Sequence, residues 1–161
     1  MDSSTSPQVT NHPFFAGLPA PAVEWLTQCS HNVSFQPGQA ILTEGAPADN
    51  LYLLRQGKVA ISTHSPGKGH LLVQTLGPGE ALGLSWLFPP FQWQFDARAV
   101  EFVEALALDG RCLRERIDSD SALGYQLLKR ITPMVVQRLQ QTRLRLLDLY
   151  SADGGNGTAR A

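Results

Sequence analysis

The sequence predicts a mainly β domain of antiparallel barrel, roll or sandwich type, followed by a long helix. Three observations carry that expectation. Between residues 33 and 108, short apolar segments alternate with turn punctuation. From Ser121 the apolar spacing changes to steps of three and four residues, the period of a helix. With 14 glycines and 11 prolines in 161 residues, 43% of them hydrophobic, the composition is that of a turn-rich globular chain. A chain of this length holds one domain with a buried core.

Residues 1–12 are polar and rich in Ser and Thr, and are expected to form a flexible tail that buries too little apolar area to offset its ordering entropy. Order is expected to begin near Pro13. Over Pro21 to Cys29, Ala22, Val23, Trp25 and Leu26 fall at helical spacing after a proline-rich entry and predict a short amphipathic helix. Strands are predicted at Val33 to Phe35, Leu51 to Leu54, Val59 to Ser62, Leu71 to Leu76 and Phe102 to Leu108. The punctuation between them includes Gly38, Gly45, Gly57, the run from Pro66 to Gly69, and Gly79.

The helical seam after Ser121 runs through Leu128, Ile131, Val135, Leu139, Thr142, Leu146 and Leu149, which predicts a dimerisation helix over residues 121–150. Pro133 is expected to kink that helix or start a new one, since proline lacks a donor and crowds the preceding turn. Gly154, Gly155 and Gly157 then predict a flexible tail over residues 151–161, without space for a helix-turn-helix domain.

A net charge of −1 supplies no global attraction to nucleic acid or to an anionic membrane. The start of the chain has neither a basic region nor an apolar core of signal-peptide type, and no stretch reaches the length of a membrane span. Cys29 and Cys112 are far apart and in no CxxC spacing, so two free thiols in a reducing cytoplasm are expected.

The run FQPGQAILTEGAPADNLYLLRQGKVAI, with Phe35, Gly38, Glu44, Gly45, Tyr52 and Gly57 at its landmarks, resembles the first strands of cyclic-nucleotide-binding domains of the Crp/Fnr, or catabolite activator, type. The segment LGPGEALGLSWLF resembles the approach to that family's phosphate-binding cassette, and the long helix resembles its dimerisation helix. The resemblance covers roughly Pro13 to Tyr150. It implies a jelly-roll-like β-roll of about eight strands over residues 13–120, assembled as a parallel homodimer.

The family's cassette reads Phe-Gly-Glu-hydrophobic-Ala, followed later by Arg and then Ser or Thr. The glutamate accepts from the ribose 2′-hydroxyl, and the arginine with nearby backbone amides holds the cyclic phosphate. Here Leu84 stands at the glutamate position, and Trp93 and Gln94 stand where the Arg and Ser or Thr would be. A buried phosphate there would lack its counter-charge, a penalty of roughly a few kcal/mol. The candidate pocket is therefore Gly83, Leu84, Ser85, Trp86, Trp93, Gln94 and Arg98. Arg98 is the nearest cation for a displaced phosphate contact, although its alternation with Ala97 and Ala99 also suits a strand residue with a solvated tip.

The aromatic group Trp86, Phe88, Phe91, Trp93 and Phe95 either lines a ligand pocket, fills the space a nucleotide would take, or forms a partner-binding patch. His12, His31, His64 and His70 show no HxH or HExxH spacing, so a metal-dependent cupin enzyme is not supported and no metal site is expected. Some relatives sense gases through haem, but no haem attachment motif is present. Ser85 lacks the second glycine of a nucleophile elbow and has no assignable His and Asp partners. Lys129, Arg130, Arg138, Arg143 and Arg145 make the long helix basic, which suits the solvated flanks of a dimer seam. Without a recognition helix, direct DNA binding is not expected.

The residues and the resemblance together describe a stand-alone, non-catalytic sensor or regulatory domain. Its ligand would be cyclic AMP, cyclic GMP or another small molecule, acting by population shift. The alternative is a degenerate domain that binds no nucleotide and serves protein interaction, or a sensor of haem or another small ligand. The dimer contact is expected at Ile131, Val135, Leu139, Thr142 and Leu146.

Overall fold

The computed structural model describes residues 12–160, with side chains up to residue 151. The first eleven residues of the expected N-terminal tail lie outside the described residues. The chain divides into two compact units, Met1–Leu127 and Leu128–Ala161.

In the first unit a 3-10 turn (Pro13–Phe15) leads to α1 (Ala20–Gln28), β1 (Ser30–Phe35), β2 (Ala40–Leu42), β3 (Asn50–Gln56), β4 (Val59–Ser65), β5 (Gly69–Leu76) and β6 (Ala81–Leu82). A second 3-10 turn (Ser85–Leu87) precedes β7 (Asp96–Ala99), β8 (Val103–Asp109) and α2 (Gly110–Ser119), and α3 (Ser121–Arg160) follows. The strands form two four-stranded antiparallel sheets, ordered β1-β8-β3-β6 and β2-β7-β4-β5. This is the predicted β-roll with flanking helices and a long C-terminal helix.

Five of the strands match the segments read from the sequence, Phe102 alone lying outside, just before β8. β2 and β6 are two or three residues long and give no legible alternation. The predicted turn glycines Gly38, Gly45 and Gly57 have φ of 85°, 87° and 92°, the region a Cβ disfavours. The core centres on β8, where Val103, Ala105, Leu106, Ala107 and Leu108 are all buried, flanked by Leu51, Leu53 and Leu54 of β3. β8 is apolar on both faces because its two edges are paired and both its faces are covered.

Three expectations need correction. His12 was expected in the flexible tail, but it is buried, its Nε2 donates to the Leu54 carbonyl at 3.0 Å, and its Nδ1 accepts from Phe14 N at 3.0 Å. It caps the first 3-10 turn and pins the start of the chain to β3.

Cys29 and Cys112, expected as free thiols, are joined in a disulfide with a Cα–Cα distance of 5.9 Å, inside the usual range. Their separation of 83 residues hides the proximity that strand register creates. β1 pairs with β8 from Ser30↔Leu108 onward, and Asp109 N donates to Cys29 O at 2.8 Å.

α3 does not stop near Tyr150 but continues to Arg160, through the glycines of the expected tail. Each glycine costs about 1 kcal/mol relative to alanine, which weakens an established helix without forbidding its propagation. Pro133 lies inside α3 and starts no new helix.

In the second unit, Val135, Leu139 and Leu146 of the predicted seam are 46%, 66% and 51% exposed, and Thr142 is exposed with its hydroxyl donating to Arg138 O at 2.9 Å. Ile131, by contrast, is 3% exposed. No described helix is long and apolar enough to cross a membrane.

Burial holds the His12 imidazole below its ordinary pKa of 6.5, opposed by the hydrogen bond to Leu54 O and reinforced by the charge of Arg55. The folded chain therefore resists a proton that the unfolded chain accepts, so this contribution to stability is complete above about pH 6.5 and is lost as pH falls toward the lower, folded value. The urea midpoint of the native chain is expected to fall between pH 7.5 and 5.5. His12→Ala, less stable at pH 7.5 by about 1–3 kcal/mol, should lose less over the same interval.

Candidate functional site: an aromatic cassette braced by α2

The segment between β6 and β7 begins at Gly83, with φ 89°. A Cβ at this position would stand 2.8 Å from Cη2 and Cζ3 of Trp93. The indole of Trp93 thus lies directly against the Gly83 backbone, a contact that only glycine permits. Leu84 caps the 3-10 turn Ser85–Leu87, and Leu87 N donates to Leu84 O at 3.2 Å. Trp86 is fully buried and Trp93 is 5% exposed.

Beyond the turn the chain swings outward. Phe88 is 65% exposed, the Pro89-Pro90 bond is cis, and Phe91 sits at φ 56°. The segment then closes onto the turn between β2 and β3, with Ala48 N donating to Phe91 O at 2.7 Å, Trp93 N to Ala46 O at 2.9 Å, and Gly45 N to Trp93 O at 2.9 Å. Two-residue contacts of this kind continue the hydrogen bonding of a sheet where no strand is assigned, with an isolated bridge at Pro47↔Gln92.

α2 supports the segment from the other side. Asp109 caps the helix by accepting from Arg111 N at 2.9 Å and Cys112 N at 3.3 Å. Arg114, one turn further on, donates from Nη1 to Trp86 O at 2.6 Å, and its guanidinium lies 4.4 Å from the centre of the Phe91 ring. A Cβ at Gly110 would meet Trp86 Cβ at 2.8 Å, and Gly110 N donates to Asp49 O at 2.8 Å. The first turn of α2 therefore packs backbone against indole.

Of the predicted pocket residues, Gly83 and Trp93 are in contact, and Leu84, Ser85 and Trp86 form the turn that follows Gly83. Gln94 is exposed, with its side-chain amide donating to Gln92 O at 3.0 Å. Arg98 lies on β7 between buried Ala97 and Ala99, so its side chain projects from the opposite, outer face, where the guanidinium donates to the Gly38 carbonyl. It is the strand residue with a solvated tip, not a cation of the cassette. The five aromatics do not form one surface patch either: Trp86 and Trp93 are interior, Phe91 and Phe95 half-buried, and Phe88 exposed.

The residue that the sequence reading missed is Arg114, which lies on an unpredicted helix 28 positions from the backbone oxygen it binds. A local signal for α2 exists in Asp109 as a cap followed by Leu113 and Ile117 at helical spacing.

A separate open depression of about 580 Å³ is lined by Glu44, Gly45, His64, Pro66, His70 and Asp96. His70 Nδ1 lies 3.3 Å from Asp96 Oδ2, while Asp96 Oδ1 accepts from Glu44 N at 2.8 Å. Among the described residues, no three His, Cys, Asp or Glu side chains are grouped to hold a metal ion.

Two four-stranded antiparallel sheets with a glycine-led segment between β6 and β7 define a β-roll domain. The cyclic nucleotide-binding domain family matches residues 32–120, and the chain belongs to that family. A CRP-like cAMP-activated global transcriptional regulator of Mycobacterium tuberculosis is 30% identical over 139 residues, which cover 86% of this chain and 60% of the regulator. The chain thus spans about 60% of the length of the curated relatives it matches.

Among solved structures, a protein from Geobacter metallireducens described as cyclic nucleotide-binding aligns with TM-score 0.75 and 30% identity over 84% of this chain and 98% of that one. The Thermus thermophilus catabolite activator protein aligns with TM-score 0.67 and 28% identity over 86% of this chain and 63% of that one.

Proposed function

We propose that the chain is a non-catalytic regulatory domain whose cassette is filled by its own indoles, and that it signals without the ribose and phosphate contacts usual in its family. The observation that carries this reading is the Trp93 ring seated on Gly83, and we take Trp93 to stand at the place of the family's phosphate-holding arginine. Leu84 offers no acceptor to a ribose hydroxyl. The nearby cation, Arg114, is engaged by the Trp86 carbonyl and the Phe91 ring. Bringing a cyclic phosphate into this cassette would displace a packed indole and leave the anion without a counter-charge.

A second reading, a sensor of a different small ligand, rests on one observation: Trp86 Nε1 is buried and meets no acceptor among the described residues. Buried donors are ordinarily paired, and a neutral ligand with a carbonyl or ether oxygen would suit it.

For assembly we infer a homodimer through the exposed apolar face of α3, supported by Val135, Leu139, Leu146 and Leu149, each 46–66% exposed at alternating three- and four-residue steps that include Thr142. Light scattering should report a dimer for the native chain and a monomer for Leu139→Glu. A native monomer, or an unchanged mass in the variant, would refute this assembly.

Isothermal titration calorimetry with cyclic AMP and cyclic GMP tests the cassette reading. No heat is expected from the native chain at micromolar concentrations, and the double substitution Leu84→Glu with Trp93→Arg should gain affinity by roughly a hundredfold, the scale of a restored counter-charge. Micromolar binding by the native chain that the double substitution weakens would overturn the reading.

A further inference from the structure

The disulfide between Cys29 and Cys112 joins the residue that ends α1 to the first turn of α2. α2 is the helix that braces the cassette. Two residues after Cys112, Arg114 holds the Trp86 carbonyl and covers the Phe91 ring, and two residues before it Gly110 abuts Trp86 Cβ. Between them Leu113 is fully buried. On the other side of the bond, Trp25 lies one turn before Cys29, with the Arg116 guanidinium of α2 5.9 Å from its ring. The bond is thus the covalent tie between α1 and the helix on which the cassette rests. Cys29 is buried, whereas Cys112 is partly exposed and open to attack.

From this placement we propose that the Cys29–Cys112 pair is a reversible thiol–disulfide switch that controls the order of the cassette segment 83–95. The reductant is a dithiol. One of its thiolates attacks Cys112 Sγ, forming a mixed disulfide and expelling Cys29 as a thiolate, which takes a proton. The second thiol of the reductant then displaces Cys112, whose thiolate is also protonated, and the reductant leaves as a closed disulfide. Two electrons and two protons pass to the cysteine pair. An oxidised dithiol of the same class reverses both steps.

Once the tie is open, the first turn of α2 is held only by its cap and its packing, and the loop entropy that the bond withheld from the opened state returns. The contacts of Gly110 and Arg114 to Trp86 are the ones released first, because each residue lies two positions from Cys112 on α2. The switch is independent of which ligand, if any, the cassette takes.

The test uses the full chain in its native state. Iodoacetamide without reductant should leave both cysteines unmodified, and dithiothreitol without denaturant should expose both to alkylation. Hydrogen–deuterium exchange read by mass spectrometry should then show segments 83–95 and 110–119 exchanging about tenfold faster after reduction, while β3 and β4 stay protected and reoxidation restores the original rates. A Cys29→Ser and Cys112→Ser variant should exchange at the faster rate with or without dithiothreitol. Should that variant fail to fold, the reduction and reoxidation cycle on the native chain decides alone. Two alkylated cysteines without reductant, reduction only in denaturant, or cassette exchange indifferent to reduction would each overturn the proposal.

Discussion

The pairing of β8 with β1 on one side and β3 on the other is the constraint on which the rest of this structure depends. A strand with both edges paired and both faces covered must be apolar throughout, and the run from Val103 to Leu108 meets that demand with Glu104 as its single charge. The same register determines what lies beyond the ends of the strand. It brings Cys29 against the start of α2, sets Asp109 as the cap of that helix, and aims Gly110 and Arg114 at Trp86. Displacing β8 by one residue would reverse every side chain and separate these groups together.

In the function proposed above, the cassette on that frame acts as a packing element. In a family whose ligand is an anion, the counter-charge has to be desolvated in advance, and this costs stability unless the ligand is present. A cassette built from Leu84, Trp86 and Trp93 avoids that cost. It would hold buried aromatic surface in place of a charged hollow, worth roughly 1.5–3 kcal/mol for each large side chain. Arg114 keeps a positive charge beside the segment but directs it to a backbone oxygen and a ring face. On this proposal the site is continuous with the core through the buried Trp86 and Trp93.

Much of this was legible in the residues. The turn glycines, the five longer strands, α1 and the seam of α3 all follow local periodicity, and so does the placing of Arg98 on a strand between two buried alanines. The places of Leu84 and Trp93 in the cassette rest on the resemblance to the family. What the sequence withheld was information carried by register. Neither the disulfide nor the Arg114 contact has a local signature, since each joins positions that only the β1–β8 ladder and the turn after it bring together. His12 was hidden for another reason: polar neighbours mask a histidine whose two ring nitrogens are both satisfied in the interior. The glycines near the C-terminus misled because propensity is a weak prior against the cooperativity of an established helix.

The claim at the centre of this account is that Trp86 and Trp93 occupy the cassette permanently. The indole ¹H–¹⁵N resonances of the chain, assigned by single substitution of its three tryptophans, read that claim directly in a titration with cyclic AMP. Occupied by its own rings, the cassette should leave the Trp86 and Trp93 signals unmoved up to millimolar nucleotide. Saturable shifts of those two signals, with Trp25 unchanged, would show that the rings give way to ligand and would contradict the account.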